Sequence, residues 1–164
     1  MILLFLLIIP VTALTVILII AWKRPNAKTR ILEKLLHENL EHLRVQYLMS
    51  QTSNFVATGG NYITVDMYFN KDLIFICPLR KGLFNGLFNF YLPVIYTLDF
   101  NKAFKITGFN NIIVPTEVKL TDWNALIIKY HRTLIGNVNG SIQIKPIDKS
   151  DISKITTVGT YFKK

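Results

Sequence analysis

The chain has one cysteine, Cys77, in 164 residues. That excludes an intramolecular disulfide framework and fits a reducing compartment. Acidic residues are also scarce: ten Asp and Glu stand against nineteen Lys and Arg, a formal net charge of +9. The three histidines are His37, His42 and His131. On a helix His37 and His42 would lie on different faces, and zinc would need further Cys or His ligands that the chain lacks. No metal site and no cofactor are expected. Charge is missing altogether from Met1–Trp22, so the basic excess belongs entirely to residues 23–164.

Catalytic signatures are missing too. Gly136-Asn137-Val138-Asn139-Gly140 is rich in glycine but has neither the Lys-Ser/Thr pair nor the strand-to-helix setting of a phosphate loop. No nucleophile elbow is present. Asp66, Asp72, Asp99, Glu117, Asp122, Asp148 and Asp151 are scattered, mostly at strand ends, where turn chemistry accounts for them. No residue is nominated as catalytic, and an enzyme is not expected.

What is present begins with an uncharged apolar run, Ile2–Trp22. About twenty residues of helix cover a ~30 Å hydrocarbon core, and a helix alone satisfies its own backbone there. The run therefore reads as a transmembrane helix over 1–22, bent by Pro10. Trp22, Lys23 and Arg24 read as its interfacial anchor, an amphipathic ring followed by cations in water. A secretory signal peptide fits less well, with no basic stretch before the run and no small-x-small site after it. Lys23, Arg24, Lys28 and Arg30 all lie beyond the span. The positive-inside rule then gives a single-pass protein with its C-terminal domain in the cytoplasm.

From Asn26 to about Ser50 the period changes. Leu32, Leu36, Leu40, Leu43 and Tyr47 fall on one face of a helix, widened by Ile31, Leu35 and Leu48. The spacing predicts a juxtamembrane amphipathic helix over 23–52, a stalk that packs on the next domain, self-associates through 31–48, or lies along the membrane. Beyond it, 53–164 has the texture of a β-rich domain. Strands are expected near Tyr62–Phe69, Leu73–Pro78, Val94–Asp99, Phe104–Ile106, Asn111–Val114, Asn124–Arg132 and Ser141–Ile147. Asn70-Lys71-Asp72 should make a tight hairpin. A short helix after Asp148 would turn Ile152, Ile155 and Val158 inward. The fold class expected is α+β: transmembrane helix, stalk, and a mostly antiparallel β domain closed by that C-terminal helix.

The hairpin Tyr62–Ile76, with Leu73-Ile74-Phe75-Ile76 as its second strand, and Ile142–Ile147 running into Asp148–Ile155 carry a resemblance. The layout resembles bacterial PH-like and GRAM-like domains that sit next to transmembrane helices. It covers about 100 residues of pattern and departs from eukaryotic PH domains in lacking a Trp in the closing helix. The resemblance implies a partly open barrel used for lipid or protein docking, without catalysis.

One segment bears on function directly. Arg80 and Lys81 precede a stretch with no charge until Asp99, in which Leu83, Phe84, Leu87, Phe88 and Tyr91 recur at helical spacing. Apolar side chains beside cations suit interfacial insertion into an anionic leaflet. The same residues could instead fill the core or meet another protein. Dispersed Lys and Arg with no known module argue against nucleic acid. The expected function is a membrane-anchored, non-enzymatic binding or scaffold protein whose PH-like domain docks to anionic lipid or a membrane partner. The alternative is a structural subunit of a larger membrane complex.

Overall fold

The computed structural model describes residues 2–53, 57–59, 61–79, 93–132 and 138–162. It opens with one long helix, α1 (Ile2–Leu35), which ends in a 3-10 turn at Leu36–Glu38. Asn39 then adopts a left-handed conformation (φ 47°) that stops helical growth, and the chain leaves as a strand. The strands are β1 (Glu41–Ser53), β2 (Ala57–Gly59), β3 (Ile63–Phe69), β4 (Leu73–Pro78), β5 (Val94–Thr97), β6 (Ile112–Ile113), β7 (Pro115–Leu120), β8 (Leu126–Arg132) and β9 (Val138–Pro146). Two short helices accompany them, α2 (Phe100–Thr107) after β5 and α3 (Ile152–Tyr161) after β9.

All nine strands belong to one sheet, in the order β6-β5-β4-β3-β1-β9-β8-β7, with β2 paired to β1 off that path. Eight strands curl into a nearly closed barrel. Its two end strands are neighbours in sequence with only Val114 between them. Every pairing is antiparallel except β5 with β6. Alternation sorts the side chains. Leu43, Val45 and Tyr47 of β1, Val65 and Met67 of β3, and Ile74 and Ile76 of β4 point inward, where Tyr96, Tyr130 and Ile144 join them. The rings of Tyr96 and Tyr130 lie 6.2 Å apart, and the Tyr47 and Tyr96 hydroxyls meet at 3.4 Å, linking opposite walls. Gly140 faces Tyr130 across the β8–β9 ladder, and a Cβ there would overlap that ring.

β4 is buried on both sides. Its outward residues Leu73, Phe75 and Cys77 form a second core with Ile31 and Leu35 of α1, Ile95 of β5 and Ala103 of α2. The C-terminal turns of α1, together with α2, thus coat the outside of β4 and β5. The residues Ile155 and Val158 of α3, with Phe162 just beyond it, reach instead into the inner core.

Several expectations are corrected. Among the described residues no helix is long and apolar enough to cross a membrane. The transmembrane reading of Ile2–Trp22 is therefore overturned, and with it the single-pass topology with a cytoplasmic C-terminal domain. The boundary that reading required at Trp22–Arg24 does not exist: α1 runs on through these residues to Leu35, and its end is built into the outer core. Val11, Leu14, Val16 and Ile19 lie exposed along its earlier turns. The α+β class with a helical stalk is replaced by a mostly β barrel with few helices. Residues 41–52 of the supposed stalk are strand β1, in which burial alternates residue by residue from His42 to Tyr47. Leu36, placed on the apolar stripe, is 74% exposed. The strand expected at Phe104–Ile106 lies inside α2, which Asp99 caps by accepting a hydrogen bond from the Lys102 amide (3.0 Å) and Gly108 terminates at φ 61°. The β3–β4 turn does fall at Asn70-Lys71-Asp72. There the Asn70 side chain accepts from the Asp72 and Leu73 amides at 2.8 and 3.0 Å.

Candidate functional site

Outward-facing Asp66 sits between Val65 and Met67, which face the inner core, and it lies against the coat rather than in solvent. Its side chain is 8% exposed. Oδ2 accepts a hydrogen bond from the Lys28 ammonium of α1 at 2.8 Å, and Oδ1 meets His42 Nε2 at 3.1 Å. Arg44, directly across the β1–β3 ladder, brings its Nε to 3.9 Å. Lys28 also donates to the Pro78 carbonyl at 3.4 Å. One carboxylate thus ties α1 to the barrel and neutralises cations from two elements. His42 is held further by its neighbour in register, Tyr68, with ring centroids 4.7 Å apart.

Cys77 pairs with Asp66 across the β3–β4 ladder. A thiol, an imidazole and a carboxylate are the residue types of cysteine-dependent hydrolysis, but here the thiol is not set up for it. It is buried and directs its proton to the Asp66 backbone carbonyl at 3.7 Å. Burial pushes its pKa from 9.0 up to about 12, so it carries no thiolate near neutrality. Burial pulls the Lys28 ammonium down, yet its hydrogen bond to Asp66 and the surrounding charges outweigh this, and its pKa is raised. Burial also raises the phenols of Tyr47 and Tyr96.

Each of these groups keeps its proton in the folded chain at a pH where the unfolded chain has lost it. The stability this represents is complete below the ordinary values and drains away as pH climbs through the raised ones. The thermal midpoint of the full chain is therefore expected to fall progressively between pH 9 and 12, over the range of the Cys77 shift. A Cys77→Ala variant should delay the onset toward the Lys28 and tyrosine range. A midpoint as high at pH 11 as at pH 8 would contradict this assignment.

A second region is opposite in character. Where the outward residues of β4 are covered, those of β1, β9, β8 and β7 are not. Arg44, Gln46, Lys119, Lys129 and His131 are exposed, and Gln143 and Lys145 are half-exposed. Register sets them in rows: Gln46 beside Lys145, Lys119 beside Ile127 beside Gln143, Glu117 beside Lys129. Glu117 on this face is paired with Lys129 at 2.8 Å, and that hydrogen bond lowers the pKa of Glu117. At one end the Lys145 ammonium sits over two exposed rings, 4.4 Å from the centroid of Tyr62 and 4.5 Å from that of Trp123. This open face is basic, rich in amides and hydroxyls, and carries two aromatic anchors.

Two hollows lie elsewhere among the described residues. One of about 350 Å³ is lined by His37, Glu38, Asn39, Glu41, Asn70, Lys71, Asp72 and Tyr161. The other, about 370 Å³, runs between β7 and α3 and is lined by Val118, Lys119, Leu120, Thr156, Gly159 and Thr160. Neither is lined by Asp66, His42 or Cys77.

Of the residues the sequence singled out, Arg80, Lys81, Leu83, Phe84, Leu87, Phe88 and Tyr91 lie outside the described residues. Trp22, Lys23 and Arg24 fall within α1, with side chains outside the described ones. The open face was missed. Its signal was present in the alternation His42, Arg44, Gln46 against Leu43, Val45, Tyr47, which marks a strand with one wet face.

No protein-family model matches the chain. Part of it has a relative among known proteins. The chain is similar to the non-toxic nonhemagglutinin type D of Clostridium botulinum D phage, 34% identical over 74 residues. These make up 45% of this chain but 6% of that much longer protein.

Proposed function

We propose that this chain is a non-enzymatic binding or scaffold protein whose barrel docks an acidic protein partner on its open face. One observation carries the reading. The outer face of β1, β9, β8 and β7 presents Lys119 and Lys145, together with Arg44, which also reaches Asp66, beside exposed Tyr62 and Trp123; of the acids there, Glu117 is paired with Lys129 and Asp122 adjoins Trp123. An excess of positive charge around aromatic anchors gives a partner both steering and contact. The chemistry of the Asp66 cluster points the same way, since its groups hold α1 in place and its thiol stays protonated. The resemblance to PH-like domains, which implies docking rather than catalysis, adds to it. Expected binding to anionic lipid through Arg80–Tyr91 is the competing source of negative charge.

The test is fluorescence anisotropy of the full-length chain with a labelled deca-glutamate peptide, alongside co-sedimentation with phosphatidylserine vesicles. Arg44→Gln with Lys119→Gln should weaken peptide binding about tenfold, and added salt should weaken it further. Lys105→Gln with Lys154→Gln, which changes two exposed cations elsewhere, should leave it unchanged. Equal losses from both pairs would overturn the assignment of the face. Binding to vesicles with none to peptide would transfer the role to lipid.

A further inference from the structure

Resting on that docking reading, we infer that Tyr62, Lys145 and Trp123 form the anchor of the open face and take a carboxylate flanked by an aromatic side chain. Lys145 projects from β9, and its ammonium is held between the two rings at 4.4 and 4.5 Å. Ring faces attract the cation without consuming its hydrogens. Its N–H groups therefore stay available to an anion while its position is fixed. Tyr62 is located in turn by donating its hydroxyl to the Gln143 side-chain oxygen.

Trp123 is 59% exposed, large for a residue of its size, and it stands on a well-defined turn. The Thr121 amide donates to the Ala125 carbonyl (2.9 Å), the Ala125 amide to the Thr121 hydroxyl (3.1 Å), and the Asn124 amide to the Thr121 carbonyl (3.0 Å). Asn124 takes φ 60°, the left-handed region an asparagine tolerates at such a turn. A ring presented on a fixed turn loses little freedom when a partner stacks on it. Trp and Tyr are among the residue types that dominate binding energy at interfaces. Asp122, exposed on the same turn, disfavours a second carboxylate at the tip. The site therefore suits one acidic side chain beside a flat one better than an unbroken run of acids.

Two labelled peptides of equal charge, EEFEEFEE and EEGEEGEE, test this with the full-length chain by anisotropy and tryptophan fluorescence. The wild type should bind the phenylalanine peptide about tenfold tighter than the glycine peptide. Trp123→Ala and Lys145→Met should each abolish that preference while retaining weak binding to the glycine peptide. Trp123→Phe, which keeps a ring, should restore most of it. Equal binding of both peptides by the wild type, or a preference intact in Trp123→Ala, would overturn the anchor and leave the docking face standing. Binding of neither peptide would remove the docking reading itself.

Discussion

Replacing Asp66 with alanine is expected to destabilise the folded chain by about 3 kcal/mol, through stranding a part-buried ammonium rather than through lost packing. The Asp66 side chain is 8% exposed and that of Lys28 23%, so the pair sits between a surface salt bridge and a dry one. Without the carboxylate, Lys28 keeps its long hydrogen bond to the Pro78 carbonyl but no acidic partner among the described residues. Arg44 loses its counter-charge and His42 its hydrogen-bond partner at the same time. Lys28→Met should cost less, because Asp66 retains those two partners. In Lys28→Met with Asp66→Leu neither group remains to be desolvated, and most of the loss should be regained. Denaturant unfolding tracked by circular dichroism reads all three. A loss below about 1 kcal/mol for Asp66→Ala, the level of an exposed pair, would show that the carboxylate does not clasp α1 to the barrel.

That clasp also explains where the sequence misled. A charge-free run ending in Trp-Lys-Arg carries the local signature of a helix that stops at an interface, and nothing within it announces that the helix continues. The stop signal lies further on, at Asn39, where a left-handed residue is needed. Around it two periods compete. Leu32, Leu36, Leu40, Leu43 and Tyr47 satisfy helical spacing, while Leu43, Val45 and Tyr47 satisfy a strand. Burial against β3 and β9 decided for the strand, as tertiary pairing commonly does when a short apolar pattern fits both. Where a turn residue fixes the geometry locally, as Asn70 does, the sequence was legible: Leu73–Pro78 is strand β4 as expected, and Ile63–Phe69 starts one residue inside the expected Tyr62–Phe69.

The open face was harder to see because its members come from β1 near one end of the chain and from β7, β8 and β9 near the other. Tyr62 and Lys145 meet Trp123 through sheet order, and no spacing in the sequence encodes that meeting. Asp66 was legible only as a polar residue in a strand. Its role emerges from α1 folding back so that Lys28 lies beside it, 38 positions away.

Phe162→Ala should cost about 3–5 kcal/mol, the range for emptying the site of a fully buried ring. Phe162 lies just after the last helix and is 0% exposed within the inner core, beside Ile155 and Val158. Its amide closes α3 by donating to the Val158 carbonyl at 3.3 Å, so the backbone that carries the ring is fixed. The adjoining Tyr161 is 42% exposed and supplies the control: Tyr161→Ala should stay within about 0.5 kcal/mol. The two substitutions remove rings of similar size from neighbouring positions. A large difference between them can therefore come only from which one the barrel encloses. If guanidinium unfolding gave equal, small losses for both, α3 would be a surface appendage and its residues would not belong to the core. If Phe162→Ala alone shifts the midpoint with an unchanged denaturant slope, the helix is the stopper that makes the barrel's interior a closed hydrophobic core. The open face would then rest on a wall made rigid from within.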